Sequence, residues 1–451
     1  MIETTPTAGP WVLERSRKLR LFTLFILYVG QGMPIGLMWF AIPAWMAVGG
    51  AGAADIATVA ALTALPWSLK LVNGFIMDRY AYLPMGRRRA WLLAAQAAII
   101  VCLCAAALAD PGPGDIAFLA ATGFAVNLAA AFQDVAVDGL AVDIMTEDER
   151  ARGSGAMFGG QALGIAGASA CSGLVIEAYG APAAFLAIAA LMLLLAGYVT
   201  AWREREGERL LPWTEGRAHP RNRVIQIAAW PPLLRATFVS LTDRVSLLWL
   251  PVIFARGIFY GAMVGITPLI GANLVGLSTA EIASLTGTAG LIGGVLGMTL
   301  GGWLGDRFGA KRTSVFWLAV QLAGLAAMLL ARTQWSDPAV FVAFVVGWFA
   351  LDLMVSISSL PIAMRLCEPS VAATQFTIYM GIGNLGISAG AWVLGQAGMM
   401  GLGGVFLAVA AWVTLAMLLM MMVPFPRRGD VYVPMLSFDS HVPMREHGGM
   451  V

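Results

Sequence analysis

Twelve apolar stretches, each long enough to cross a bilayer, alternate with short polar breaks. A crossing helix needs about 20 mostly apolar residues. On that measure the sequence predicts crossings at 21–48, 55–77, 90–109, 115–144, 153–178 and 182–202, and then at 246–274, 279–304, 312–332, 338–365, 370–397 and 402–424. The first, fourth, seventh and tenth runs are long, so tilt or wetted ends are expected there. A polar stretch divides the runs six and six. The expected organisation is a polar N-terminal segment (1–20), a six-helix half (21–202), a linker (203–245), a second six-helix half (246–425) and a polar tail (426–451). The fold class is an all-α membrane protein.

Composition agrees that lipid is the solvent. Hydrophobic residues make up 59% of the 451 and charged residues only 12%, where a soluble domain carries about 25% charged residues. A soluble fold cannot hide this much apolar surface. The 52 glycines suit helices that approach closely in a bilayer. A net charge of +2 presents no basic face to nucleic acid. Cys102, Cys104, Cys171 and Cys367 lie in or beside apolar runs, at spacings that make neither a zinc site nor a disulfide framework. His219, His441 and His447 all fall in polar segments, which excludes a histidine proton relay inside the membrane. No metal and no cofactor is expected.

Charge distribution sets the expected orientation. Of the 28 Lys and Arg residues, Lys70, Arg256 and Arg332 lie within crossings or on the far side. The other 25 fall on one side, in the N-terminal segment, alternate loops and the tail. Basic loops stay in the cytoplasm, so both termini are expected there. Arg15, Arg17, Lys18 and Arg20 precede the first run, which continues without an A-x-A site and reads as an uncleaved crossing.

One motif occurs twice, in the same register of each half. After the second crossing comes Gly74-Phe-Ile-Met-Asp78-Arg79, then Gly86-Arg87-Arg88-Arg89. After the eighth comes Gly302-Trp-Leu-Gly-Asp306-Arg307, then Gly309-Ala-Lys311-Arg312. This G-x-x-x-D-R…G-[KR]-[KR] loop resembles that of the major facilitator superfamily, which implies two half-transporters holding a small-molecule substrate between them near the midplane. Physically the loop reads as an electrostatic latch. The glycine lets two helices approach, and the carboxylate can accept from a neighbouring helix N-terminus. The arginines can pair with acidic helix ends such as Asp143 or Glu147.

Ionisable residues at membrane depth cost several kcal/mol and are functional candidates by default. Lys70 lies eight residues before Asp78, about 12 Å inside the surface; snorkelling or structural pairing competes with a functional role. Asp134 and Asp138, in Gln133-Asp134-x-x-x-Asp138, share one helix face. Two carboxylates on one face in low dielectric repel, which favours uptake of a proton by one of them; Asp134, the deeper, is the first choice. A salt bridge with Lys70 is the competing reading, and a switchable bridge would serve both. Arg256 lies about 15 Å into the seventh crossing, where its planar fork suits a substrate anion or a partner such as Asp352 or Asp134. Gln31, Asn73, Asn127, Gln161, Gln375, Tyr379 and Asn384 add hydrogen-bonding positions that suit a hydrated cavity, although such side chains often only join helices.

Several segments narrow the resemblance. Gly32-Met33-Pro34, Gly86-Arg-Arg-Arg-Ala-Trp-Leu-Leu-Ala-Ala-Gln96, Gln133-Asp134-x-x-x-Asp138 with Glu149-Arg150, and Leu366-Cys367-Glu-Pro-Ser-Val-Ala-Ala-Thr374-Gln375-Phe376 resemble AmpG-like muropeptide permeases, within the peptide–acetyl-coenzyme A transporter family. The resemblance covers most of 21–425. It implies proton-driven import across a bacterial inner membrane, by a monomer, of anhydromuropeptides released in cell-wall turnover. Gln133, Asp134 and Asp138 would be the functional set of the fourth crossing, with Lys70 and Gln375 at matching positions. The chain departs from that group in lacking further crossings. It also reads Arg256-Gly257-Ile258 where the group tends to carry Lys-x-Gly-Asp, so another bulky anionic cargo such as a siderophore is a second expectation. A membrane enzyme would need a nucleophile–base pair in a loop outside the hydrocarbon, and none can be proposed here.

Overall fold

The computed structural model describes residues 11–422 except Gly52, Ala228, Ser278, Met399 and Met400. The first ten residues and the expected tail at 426–451 lie outside the described residues. With no water in hydrocarbon, a crossing chain must satisfy its backbone groups internally, so helices dominate. The first crossing is α1 (Arg17–Ile35), a π-helical turn (Gly36–Ala41) and α2 (Ile42–Val48). Then follow α3 (Ala53–Arg79), α4 (Arg89–Ala109), α5 (Ile116–Ile144), α6 (Arg150–Tyr179) and α7 (Ala181–Thr200). The stretch expected as a plain polar linker contains two helices, α8 (Pro220–Ile225) and α9 (Trp230–Thr242).

The second half repeats the plan. Its crossings are α10 (Arg244–Ile270) with a π turn (Gly271–Val275), then α11 (Thr279–Leu296) continued through a π turn (Gly297–Gly301) into α12 (Gly302–Phe308). α13 (Ala310–Leu330), α14 (Pro338–Leu366), α15 (Ala372–Gly398) and α16 (Leu402–Met422) complete it. Among the described residues, ten helices are long and apolar enough to cross a membrane by composition alone. With α3 and α15 the count of crossings is twelve. Those two pack against each other between the halves.

The helix pairings are duplicated as well. α1–α6, α3–α5 and α4–α7 pack in the first half; α10–α15, α11–α14 and α13–α16 are their counterparts in the second. Both of the most intimate pairings rest on glycine. A Cβ added at Gly32 would lie 2.5 Å from the Gln161 carbonyl oxygen, and one at Gly257 would lie 2.2 Å from that of Gly383. Backbone against backbone is how helices gain contact in lipid, where no hydrophobic force drives them together.

The end of the bundle that holds residues 11–16, the loops at 80–88 and 145–149 and the linker is called the basic end here. The linker is bonded into the first half there. Glu204 caps the N-terminus of α4, accepting from the backbone amides of Arg87 (2.9 Å), Arg88 (2.8 Å) and Arg89 (2.7 Å). Four such amides lack partners at any helix start. Gly86 sits at φ +101° with the Glu204 carboxylate where a Cβ would be. Glu208, also buried, accepts from Arg205 N (2.9 Å) and Asn222 Nδ2 (2.8 Å).

Burial, and next the charge of Glu204, push the Glu208 carboxyl up from an ordinary 4.5 to about 8. The folded chain therefore keeps a proton that the unfolded chain releases. This contribution to stability is fully present below about pH 4.5 and is lost as pH rises toward 8. Glu208→Gln should flatten the fall of Tm across that window relative to the parent, read by fluorescence melting in detergent. Identical pH profiles would rule out Glu208 as the titrating group.

Candidate functional site

Three helices of the first half bring their polar residues to one place. α1 and α5 run antiparallel, and their side chains pair as a ladder. The Tyr28 hydroxyl donates to Asp138 Oδ1, Gln31 Nε2 donates to Asp134 Oδ1 at 2.5 Å, and Trp39 Nε1 donates to Asn127 Oδ1 at 3.1 Å. From Gln31 to Trp39 is eight residues, where a regular helix returns to the same face after seven. The π turn supplies the extra residue, as such turns do at functional sites.

α3 closes the cluster from the other side. Lys70 Nζ lies 2.9 Å from Asp134 Oδ2, and Trp67 Nε1 donates to the same Asn127 oxygen at 2.9 Å. Lys70, Asp134, Asp138, Gln31, Tyr28 and Asn73 are all buried. Gln31 Oε1 and Asn73 Nδ2 have no hydrogen-bond partner. Asp134 thus spends one oxygen on an ammonium and the other on an amide, while Asp138 has a phenol. One cation facing two carboxylates leaves room for one proton.

The second half contributes Arg256, on α10. Its guanidinium lies 3.7 Å from Asp352 on α14, too long for a tight fork, and its side chain is 25% exposed. Arg256 Nε and Asp352 Oδ1 have no hydrogen-bond partner. Beside Arg256 is a cavity lined by Phe158, Trp249, Ser356, Ser359 and Met380, among others.

Other expected cavity positions fall elsewhere. Gln375 and Tyr379 are fully buried. Gln375 accepts from Glu368 N (2.7 Å) and donates to Leu366 O (3.0 Å) and the Tyr379 hydroxyl (2.7 Å), which also bonds Ser246. Their hydrogen bonds tie the start of α15 to α10 and α14. Gln133 turns to the backbone of α1, at 3.5 Å from Leu27 O. Gln161 is half-buried on the α6 face that meets Gly32, and Asn384 is exposed on α15.

At the basic end the repeated loop joins the halves twice. Asp78 Oδ2 accepts from Thr374 N, in the first turn of α15, at 2.8 Å, and its other oxygen meets Arg88 Nη2 at 2.8 Å. Arg87 donates to the carbonyl of Pro369 (2.7 Å) and to Asp143 (3.1 Å). In the second copy Asp306 pairs with Arg152, in the first turn of α6, and with Arg17 at 3.7 Å. The glycines match too: a Cβ at Gly74 would lie 2.8 Å from Thr374 Cα, and one at Gly302 would lie 2.9 Å from Arg152 Cα. Arg365 of the second half also pairs with Glu147 of the first. Arg79 and Arg307, expected in the latch, stack instead on Tyr80 (4.7 Å) and on Trp303 (5.6 Å).

Tyr28, Trp39, Trp67 and Glu204 were not singled out by sequence reasoning. The three aromatics sit in apolar runs, where nothing local separates a hydrogen-bonded ring from a packed one. The available signal was spacing: Trp67 precedes Lys70 by one helical turn.

The sequence profile described as Major Facilitator Superfamily matches residues 24–391. The anhydromuropeptide permease of Escherichia coli (strain K12) is 25% identical over 384 residues, covering 82% of this chain and 74% of that protein. Among solved structures, the transporter FucP in the outward conformation superposes with a TM-score of 0.67 at 12% identity, covering 90% of this chain and 99% of that one. A bacterial homologue of the iron transporter ferroportin in an outward-facing state gives 0.65 at 14% identity, covering 89% and 98%.

Cys367 lies buried directly behind the latch. With Cys102, Cys104 and Cys171 replaced by serine, Gly74→Val should force α3 from α15 and speed maleimide labelling of Cys367. The expected gain is about tenfold, the factor that about 1.4 kcal/mol confers. An unchanged rate would show that this approach does not hold the basic end closed.

Proposed function

The chain belongs to the Major Facilitator Superfamily, a family of transporters and not enzymes, and from that premise we propose that it is a proton-coupled importer of anhydromuropeptide-like cell-wall turnover products. It is a multi-pass membrane protein. The similarity to the E. coli anhydromuropeptide permease supports the cargo class. Basic loops on one side support an inner-membrane orientation with both termini in the cytoplasm and uptake from the periplasm.

The observation that carries the reading is the buried set of Lys70, Asp134 and Asp138. One ammonium and two carboxylates have a net charge of −1, which is costly at membrane depth. One proton makes the set neutral. Asp134 was the first choice for that proton from sequence, but it holds the Lys70 ion pair. Asp138, bonded to the Tyr28 hydroxyl, is therefore the resting proton carrier, and the Lys70–Asp134 bridge is the element that switches. With Asp138 protonated from the periplasmic side the set is free to move with its helices; the proton leaves to the cytoplasm as the cargo does, and Asp138 is protonated again once the carrier has returned. Arg256, loosely paired with Asp352, supplies the cation for an anionic cargo. The same loose pair favours a second reading in which the cargo is another bulky anion, such as a siderophore.

Radiolabelled anhydromuropeptide should accumulate in cells expressing the chain, and a protonophore should abolish the accumulation. No uptake by protein shown to be folded in the membrane would remove the muropeptide reading and leave the second. Asp134→Asn should eliminate proton-driven uptake without reducing membrane abundance; full uptake in that variant would remove the coupling role. Arg256→Ala should weaken binding of an anionic cargo by roughly 2–5 kcal/mol, the cost of removing one partner of a buried charge pair. Unchanged affinity would make Arg256 a packing residue.

A further inference from the structure

We propose that Trp39 and Trp67, held by Asn127, form a subsite on which a pyranose ring of the cargo stacks. The proposal rests on the transport reading above and adds to it the residues that meet the sugar.

The geometry of the indoles carries the argument. Both ring N–H groups are spent on one acceptor, Asn127 Oδ1, at 3.1 and 2.9 Å. Asn127 is fully buried, and its own Nδ2 donates to Gly123 O at 2.9 Å, which fixes the amide. Two rings anchored by their polar edges at one point are held rigidly, and Trp39 keeps part of its ring surface exposed. Trp39 remains 40% exposed and Trp67 is half-buried. A membrane-belt tryptophan would turn its N–H toward the headgroups. These two turn theirs inward, to α5, on the same ladder that holds Asp134 and Asp138. α5 and α3 both meet helices of the second half.

The surroundings complete the match to a sugar. The Lys70 ammonium lies 6.0 Å from the centroid of the Trp67 ring. Further along α1 and α3, Gln31 Oε1 and Asn73 Nδ2 are both buried and both without a partner. A pyranose has apolar C–H faces and a rim of hydroxyls, so it wants a flat ring beside donors and acceptors. An acetamido substituent brings one N–H and one C=O. Those are the complement of one unpartnered acceptor, on Gln31, and one unpartnered donor, on Asn73. A peptide offers no comparable flat apolar face. The π turn of Gly36–Ala41 is what returns Trp39 to this side of the first crossing.

The test uses full-length protein in nanodiscs and two probes: di-N-acetylchitobiose and N-acetylglucosaminyl-anhydro-N-acetylmuramic acid. Trp39→Leu and Trp67→Leu should each weaken binding by calorimetry about tenfold or more, as loss of an aromatic stacking partner does. Trp67→Phe, which keeps a ring face, should recover most of the affinity. Monodisperse Leu variants that bind either saccharide as the parent does would overturn the subsite. A parent protein that binds neither saccharide would also overturn it. In that case protonophore-sensitive uptake of intact anhydromuropeptide would leave the transport reading standing, and its absence would remove that as well.

Discussion

A charge carried out of water has to be matched, and the arrangement of this chain follows from where its matches lie. Lys70 meets Asp134 inside the first half, and Arg256 meets Asp352 inside the second. At the basic end Asp306 of the second half meets Arg152 of the first, and Arg365 meets Glu147. The first two matches are internal to a half and survive any rigid movement of it. The matches at the basic end span both halves and must break whenever that end opens. Charge pairing thus separates contacts that belong to a half from contacts that belong to a state.

Duplication makes the closing contacts a pair. Asp78 reaches the first turn of α15, and Asp306 reaches the first turn of α6. Gly74 and Gly302 allow the two close approaches. A helix start exposes unpaired amides and a partial positive charge, which adds to the basic side chains that each carboxylate already meets. The halves differ inside. The first concentrates carboxylates and an amine, and the second carries the more open arginine. The two can therefore divide the handling of protons from the handling of an anion.

Length and apolarity made the twelve crossings legible, and the repeated loop made the superfamily legible. A spacing of four puts Asp134 and Asp138 on one face of a helix. What escaped the sequence was pairing over long separations. Glu204 lies far along the chain from the three amides it caps, in a stretch that reads only as charged linker. Gln375 and Tyr379 looked like cavity groups because a polar residue in an apolar run is ambiguous until its partners are known. Trp39 escaped for a further reason: a π turn shifts the face count by one, and regular helical spacing does not reveal it.

The attachment of the linker has a mechanical consequence. Glu204 binds its first part to the first half, Glu208 and Asn222 fold that part on itself, and Gln226 Nε2 reaches Asp78 O at 2.7 Å. Its last part, α9, packs on α10 and α15 of the second half. The stretch between the attachments to the two halves is therefore not the whole of 203 to 245 but the few residues from Gln226 to Trp230. Four steps of extended chain reach at most about 14 Å. At that corner the halves are leashed and cannot drift apart, so a large displacement has to develop by pivoting, growing with distance from the leash. The linker acts as the pin of a hinge, and the widest excursion falls at the end of the bundle farthest from it.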